Sequence, residues 1–185
     1  MFDHRLLSGC LTFCLLNVSF PNLPIIASPL KSSNSQIVAQ ATNKITEAAI
    51  LKILEDLKMA QDNEDIAGML KYIAPFANTE VTMETSNGRL TFNVLGTDEH
   101  RDLLQRGAEI RNTSKTLTET VEVNVAENGE FAVAEVYTTR EYTTSQGTIL
   151  TSSNDTLRFG MINNQPMIVS ANLSGWLSVV ASGSR

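Results

Sequence analysis

The carboxyl group of Asp155 is the side chain whose type and position best suit it to chemistry. Along the long strand predicted around it, strict alternation places Asp155 on the same face as Leu157 and Phe159. An acid on an apolar face loses hydrating water, which raises its pKa and lets it hold a proton that it could donate. The alternatives are that Asp155 caps a bulge or pairs with Arg140 or Arg158.

Four further side chains are candidates because of their residue types. Glu84 could act as an acid or a base, although it lies on the strand face predicted to meet water. His100 falls in the first turn of a predicted helix, where it either lines a pocket or is solvated surface. Tyr72 and Tyr137 could give hydroxyls to a pocket, or could be ordinary core and sheet aromatics. The candidate ligand-binding residues are therefore Tyr72, His100, Tyr137 and Asp155, and the candidate catalytic residues are Asp155 and Glu84.

The sequence lacks the usual motifs for a metal or a cofactor. It has no glycine-rich phosphate loop, no H-E-x-x-H and no paired C-x-x-C. His100 is the only histidine beyond the N-terminal segment, which excludes a histidine metal cluster and makes a Ser-His-Asp triad hard to defend. We expect neither a metal nor a cofactor.

The first 27 residues have the pattern of a secretory signal peptide. One basic residue, Arg5, precedes a mainly apolar, uncharged run that ends near Phe20, and small residues follow. Cleavage is predicted after Ala27, with Ala41 of Ala-Gln-Ala as the alternative site. We therefore expect an exported protein, periplasmic or extracellular, without a stable membrane anchor.

A second interpretation of this segment makes Cys10 a lipid anchor. The residues Leu7-Ser8-Gly9-Cys10 match a bacterial lipobox. The apolar region of a lipoprotein precedes its cysteine, however, whereas here the apolar run continues to Phe20. We therefore predict that Cys10 and Cys14 are removed with the signal peptide, which leaves a mature chain without a thiol.

The composition suits one globular domain that binds no nucleic acid. The chain has 185 residues, of which 42% are hydrophobic, and a formal net charge of −6. Binding to a phosphate backbone depends on clusters of Lys and Arg, which the sequence lacks. Beyond the signal peptide we predict a flexible leader over 28–42, one domain over 43–180 and a tail over 181–185.

Hydrophobic periodicity predicts helices first and a meander of strands afterwards. The predicted helices cover 43–61, a segment from Ile66 that Asp65 caps and Pro75 ends, and 97–110. The predicted strands cover 81–83, 90–94, 117–125, 131–144, 147–159 and 166–176. This order indicates an α+β fold with helices packed on one face of an antiparallel sheet.

The order and spacing of these elements resemble the nuclear-transport-factor-two-like superfamily, which includes SnoaL-like polyketide cyclases and ketosteroid isomerases. The resemblance runs from Ile45 to Trp176 and rests on AQDNEDIAGMLKYIAP, VTMETSNG, DEHRDLLQRG and DTLRFGMINNQPMIVSANLSGW. It implies a cone-shaped, curved antiparallel sheet wrapped around the N-terminal helices, a cystatin-like roll with an internal pocket. Such a pocket is mostly apolar and contains a few polar groups.

The resemblance also implies roles for the two carboxyl groups. Asp155 of DTLRF matches the acid that helps ketosteroid isomerases to form an oxyanion hole, and Glu84 of TMETSNG falls near their general base. The tyrosine that those enzymes carry late in the first helix is replaced here by Leu57. Half of the expected oxyanion hole is therefore missing.

Three functions remain open from the sequence. The first, favoured because acid–base groups are few, is a pocket protein that binds a small apolar ligand or a protein partner without catalysis. The second is a SnoaL-like or isomerase-like enzyme that uses Asp155 and Glu84. The third is a structural dimerisation module, since the fold that the chain resembles often pairs through its open sheet face, and a homodimer is expected on the same ground.

Overall fold

A six-stranded sheet with helices on one face forms the part of the chain that the structure, a computed structural model, describes, namely residues 44–85, 88–109, 114–144 and 147–180. The helices are α1 (Glu47–Asp62), α2 (Ile66–Leu70) and α3 (Gly96–Glu109). The strands are β1 (Ile73–Thr85), β2 (Gly88–Leu95), β3 (Ser114–Val125), β4 (Phe131–Thr144), β5 (Gly147–Ile162) and β6 (Gln165–Val180). The predicted α+β class is confirmed.

The sheet is curved and open, and its strands follow the order β2-β1-β6-β5-β4-β3. Antiparallel pairing joins β3 through β6 as a meander, so these four strands alternate in direction. The last of them, β6, lies beside β1 and runs parallel to it. The predicted antiparallel sheet is confirmed for the β3–β6 meander and the β1–β2 pair, and the β1–β6 pairing differs from it in being parallel.

Helix α1 forms because its sequence supplies a cap and one apolar face. The Ala49 N–H donates to the side-chain oxygen of Thr46 at 3.2 Å, which satisfies a free donor at the start of the helix. The buried stripe consists of Ile50, Ile53, Leu54, Leu57 and Ala60. This stripe packs into the main core against the inner face of the sheet, by which we mean the face that contacts the helices. The predicted first helix is thus confirmed, with its start at Glu47.

The second predicted helix ends earlier than expected. Asp65 caps α2 as predicted, since its carboxylate accepts from the Gly68 N–H at 2.9 Å. The helix ends at Leu70, and Pro75 lies inside β1 instead of ending the helix. Pairing of β1 with β6 overrides the helical pattern, and Pro75 falls in the irregular part of that pairing, where a missing N–H is tolerated.

The turn between β3 and β4 contacts the residues that lead into α1. Gly129 has a φ of +71°, a conformation that favours glycine, as the Asn-Gly pattern predicted. Its carbonyl oxygen accepts from the Ile45 N–H at 2.7 Å. A Cβ atom at Gly129 would also approach the Cβ of Lys44 to 2.7 Å. The turn therefore binds the residues that lead into α1 to the end of the meander.

Several expectations concern residues outside the described ranges. These are the signal peptide over 1–27 with Cys10 and Cys14, the leader over 28–42 and the tail over 181–185. Among the described residues, no helix is both long enough and apolar enough to cross a membrane.

A hydrogen-bonded cluster ties α1 to the start of β1. The Tyr72 hydroxyl donates to Asp56 Oδ2 at 2.7 Å, and Lys52 Nζ donates to Asp56 Oδ1 at 2.7 Å. These contacts, the one from Lys52 first, lower the pKa of the Asp56 carboxyl. Lys71 Nζ lies 4.9 Å from the centre of the Tyr72 ring. Tyr72 therefore links α1 to the start of β1.

We predict that Leu54→Asp unfolds the domain. Leu54 is buried in the core stripe, and a charge there loses its hydration without a partner, which costs on the order of 4 kcal/mol or more. The matched control is Met59→Asp, which places the same charge on an exposed position of the same helix. Urea unfolding followed by circular dichroism measures both variants. Equal stability of the two would contradict the packing described for α1.

We predict that Tyr72→Phe lowers the free energy of unfolding by about 1–2 kcal/mol at neutral pH, because it removes a hydrogen bond to a charged acceptor. Folding lowers the pKa of Asp56, so the ionised carboxylate stabilises the folded state above about pH 3.9, the ordinary pKa of aspartate. This stabilisation is lost as the pH falls through the pKa that Asp56 has in the folded state. The difference between wild type and variant should therefore shrink in acid.

The control for this prediction is Tyr137→Phe. Its hydroxyl donates to an exposed carboxylate, Glu135 Oε2, at 3.0 Å, so its loss should cost less than about 0.5 kcal/mol. Denaturant titrations at several pH values measure both variants. A loss for Tyr137→Phe as large as that for Tyr72→Phe would refute the role given to the Asp56 cluster.

Candidate functional site

The inner face of β5 carries a buried acid, with the apolar Leu157 and Phe159 on one side of it and the polar Ser153 and Thr151 on the other. Ile149, Leu157 and Phe159 are buried on this face together with Asp155, as the alternation predicts. In the register of the sheet, Asp155 pairs with Val136 on β4 and with Leu173 on β6, both of which are buried. Asp155 is therefore flanked by apolar side chains from both neighbouring strands.

The carboxyl group of Asp155 is buried and only weakly hydrogen-bonded. Its exposed fraction is 2%. Oδ2 accepts from the Ser153 hydroxyl at a long 3.3 Å. Oδ1 makes no well-aligned hydrogen bond to any of the residues that the structure describes. Buried polar atoms normally have a partner, so this oxygen is an exception that needs an explanation.

Burial raises the pKa of the Asp155 carboxyl well above its ordinary value. Three weaker influences oppose this rise: the Ser153 hydroxyl, the Ser174 backbone and the positive charge of Arg140. Arg140 is itself buried, whereas Arg158 is exposed on the outer face, which is the opposite face of the sheet. Of the two predicted arginine partners, Arg140 is thus the one that acts on Asp155. The carboxyl keeps its proton to a higher pH than an exposed aspartate does.

A small cavity lies between the helices and the inner face. Its lining is nearly all apolar and comes from α1, β1, α3, β5 and β6, with Leu57, Leu104, Leu157 and Ile168 among the residues that form it. The volume of about 20 Å³ gives room for roughly one water molecule. Ligand pockets usually measure about 300–1,000 Å³. The cavity is therefore closed to a ligand in this conformation.

His100 lines this cavity and is fully engaged by the fold. The ring is buried, its Nδ1 lies 2.6 Å from the Gly96 carbonyl oxygen and its Nε2 lies 2.8 Å from Thr79 Oγ1. A carbonyl oxygen only accepts, so Nδ1 carries hydrogen, and the Thr79 hydroxyl donates to Nε2 in the neutral ring. Of the two alternatives for His100, the structure supports the pocket position. The residue links α3 to β1.

The remaining candidates lie away from the cavity. Glu84 is exposed on the outer face, where its Oε1 lies 3.9 Å from Arg89 Nε. Tyr137 is also exposed on the outer face. Tyr72 is buried against α1 through its bond to Asp56. His100 thus lines the cavity, and Asp155 lies on the inner face of the sheet. Glu84 lies on the outer face and is not near Asp155.

Two buried residues of the inner face, Thr79 and Arg140, were not predicted from the sequence to belong to the site. Thr79, the partner of His100, gave no signal beyond its place in a strand. Arg140 is buried on the face of Val136, and the alternation along β4 could have placed it there. Within the described ranges, no group of three or more His, Cys, Asp and Glu side chains could hold a metal ion.

Comparisons with known proteins identify the fold through structure alone. No protein-family model and no curated protein matches the sequence. A candidate scytalone dehydratase from Novosphingobium aromaticivorans is similar over 75% of this chain and 93% of its own, at 10% identity and a TM-score of 0.57. Hexachlorocyclohexane dehydrochlorinase LinA-type3 from Novosphingobium barchaimii is similar over 73% and 90%, at 14% identity and a TM-score of 0.56.

A third solved structure names the fold directly. It is a protein from Novosphingobium aromaticivorans, described as nuclear-transport-factor-two-like with a cystatin-like fold, which is similar over 74% of this chain and 82% of its own. The identity is 12% and the TM-score 0.51. At such identities the likeness concerns the fold and not the activity. The chain therefore has the curved, cystatin-like fold of nuclear-transport-factor-two-like proteins, as its sequence resemblance implied.

Proposed function

We propose that this domain binds a small, mainly apolar ligand on the inner face of its sheet, without catalysing a reaction on it. Asp155 is the observation that carries the proposal. Its buried Oδ1 makes no well-aligned hydrogen bond to the described residues, and a ligand with one polar group would satisfy it. The apolar side chains of Val136, Leu157 and Leu173 next to it suit the rest of such a ligand.

The arrangement of acid–base groups supports binding over catalysis. Glu84 and Asp155 lie on opposite faces of the sheet, so one substrate cannot contact both carboxyl groups. His100 uses both ring nitrogens within the fold. Leu57 lines the cavity at the place where the resemblance would require a hydroxyl. The enzyme alternative therefore lacks an assembled pair of groups for proton transfer.

Ligand entry requires the cavity to open. The side chains of Leu103 and Leu104 on α3 form part of its wall opposite Leu157 on β5. Asp155 lies two residues along β5 from Leu157, which is about 7 Å on the same face. A ligand that moves α3 outward could thus reach from the cavity to the carboxyl. Because only molecules with an open cavity bind the ligand, the apparent affinity equals the affinity of the open form multiplied by the fraction of molecules that are open.

The proposal can be tested with 1-octanol, which has an apolar body and one hydroxyl. We predict that it binds wild-type protein and shifts the NMR signals of Leu157 and of the α3 leucines. Asp155→Leu should weaken binding about three- to tenfold, because it removes the polar contact. Asp155→Asn, which keeps a donor and an acceptor, should bind within about twofold of wild type.

The matched control is Glu84→Gln, which changes a carboxyl group on the outer face and should bind octanol as wild type does. Circular dichroism checks that each variant remains folded. The proposal is refuted if octanol produces no shifts on the inner face, or if Asp155→Leu binds it as tightly as wild type.

A further inference from the structure

A belt of polar side chains crosses the inner face of the sheet next to Asp155. Ser153 and Thr151 precede Asp155 on this face of β5, and their register partners on β4 are Thr138 and Arg140, respectively. Thr138, Thr151 and Arg140 are buried, and Ser153 is half-buried. We name these four residues together with Asp155 the Arg140–Asp155 belt. Polar groups lose hydration when they are buried, so a belt of them inside the fold needs an explanation.

Arg140 and Asp155 are the members of the belt that suit a ligand carboxylate. A guanidinium group binds a carboxylate through two parallel hydrogen bonds. Burial raises the pKa of the Asp155 carboxyl, and the positive charge of Arg140 opposes this rise, so the two groups act on one another. Asp155 Oδ1 makes no well-aligned hydrogen bond to the described residues, and a protonated carboxyl there would donate to an anionic oxygen. Both groups can therefore donate to a single carboxylate.

Apolar side chains beside the belt suit the rest of an acid molecule. Val136 and Leu173 flank Asp155 on the two neighbouring strands. Leu157, which lines the cavity, lies four residues along β5 from Ser153, which is about 13 Å on the same face. An extended medium-chain acid has a comparable length. Its carboxylate can therefore lie over the belt while its chain reaches the wall of the cavity.

Glu119 is an acidic side chain on the same face and would favour a cationic ligand instead. It lies on β3 opposite Thr138 and is half-buried, whereas Arg140 is 4% exposed. Water screens the more exposed charge more strongly. Of the described charged side chains on this face, Arg140 is the one whose charge acts on the pKa of Asp155. A head group that contacts Asp155 therefore meets the field of the guanidinium, and this favours an acid.

We propose that the Arg140–Asp155 belt binds the carboxylate of a medium-chain monocarboxylic acid, whose apolar chain lies along the inner face. This inference rests on the proposed function, because it names the polar group of the ligand assigned to that face. The carboxylate accepts hydrogen bonds from the Arg140 guanidinium and from the Asp155 carboxyl. An alcohol cannot form the charged pair with Arg140, so the acid binds more tightly than the alcohol of the same length.

Three ligands with the same apolar chain test the head group: octanoate, 1-octanol and octylamine. Calorimetric titrations are made at about pH 6, where a carboxylic acid is ionised and an amine is protonated, as the side chains of glutamate and lysine are. Octanoate should bind wild-type protein about tenfold or more tightly than 1-octanol, because its hydrogen bonds with Arg140 are charge-assisted. Octylamine should bind more weakly than either, because its charge has the same sign as that of Arg140.

Arg140→Met removes the guanidinium and keeps a long side chain. It should weaken octanoate binding about tenfold or more and change 1-octanol binding less than about threefold. Asp155→Asn keeps a neutral donor and should bind octanoate within about twofold of wild type. The matched control is Arg158→Met, which removes the same charge from the exposed outer face of β5 and should leave octanoate binding unchanged. Circular dichroism verifies the fold of each variant.

The wild-type comparison keeps the proposal testable if Arg140→Met does not fold. Binding of 1-octanol on the inner face with octanoate no tighter would overturn this inference and leave the proposed function standing. Failure of both ligands to bind would overturn both. Tighter binding of octylamine than of octanoate would also overturn the inference, because Glu119 would then determine the charge of the ligand.

Discussion

Packing of α1 onto the inner face of the sheet is the interaction on which the rest of the structure depends. Leu54 and Leu57 are almost wholly buried in this contact, and each contributes about 1.5–3 kcal/mol through the removal of apolar surface from water. The same contact covers the inner face and keeps water from it. Because the helices cover the inner face, the cavity between them and the sheet is small and closed. Asp155 lies on this same face and is desolvated there.

His100 on α3 and Asp155 on β5 are both buried between the helices and the sheet, but they have opposite effects on stability. His100 bonds through both nitrogens and so stabilises the contact of α3 with β1. One oxygen of Asp155, Oδ1, makes no well-aligned hydrogen bond to the described residues, and a buried polar atom without a partner reduces stability. A group that stabilises the fold needs no ligand to explain it. The underbonded group is the one that a ligand would satisfy, and the proposed function therefore rests on Asp155.

Local sequence patterns predicted the individual helices and strands better than they predicted the contacts between those elements. The stripe that contains Leu54 and the alternation around Asp155 follow from the helical and strand periods, and both are as expected. The parallel pairing of β6 with β1 is a long-range choice that no local pattern encodes. The prediction that Pro75 ends the second helix was wrong, because that helix ends at Leu70 and β1 has already begun at Ile73. The boundary of α2 thus depended on tertiary contacts.

Site residues were predictable where alternation governs them and not where packing does. The opposite parity of Tyr137 and Val136 along β4 already implied that the tyrosine points outward. The burial of His100 depends on how α3 docks against β1, which the helix sequence alone does not determine. The bond from Tyr72 to Asp56 joins residues 16 apart in different elements, so no spacing rule signalled it.

The direct test of the account is an NMR titration of the Asp155 side-chain carboxyl carbon, assigned by comparison with Asp155→Asn. We predict a midpoint well above about 3.9, the ordinary value for aspartate, because burial disfavours the charged form of the carboxyl. Since folding raises this pKa, the stability linked to it is complete below the unfolded value and is lost as the pH rises through the folded value. A midpoint near about 3.9 would show that burial does not dominate the pKa of Asp155, and would contradict the environment described for the inner face and the function proposed from it.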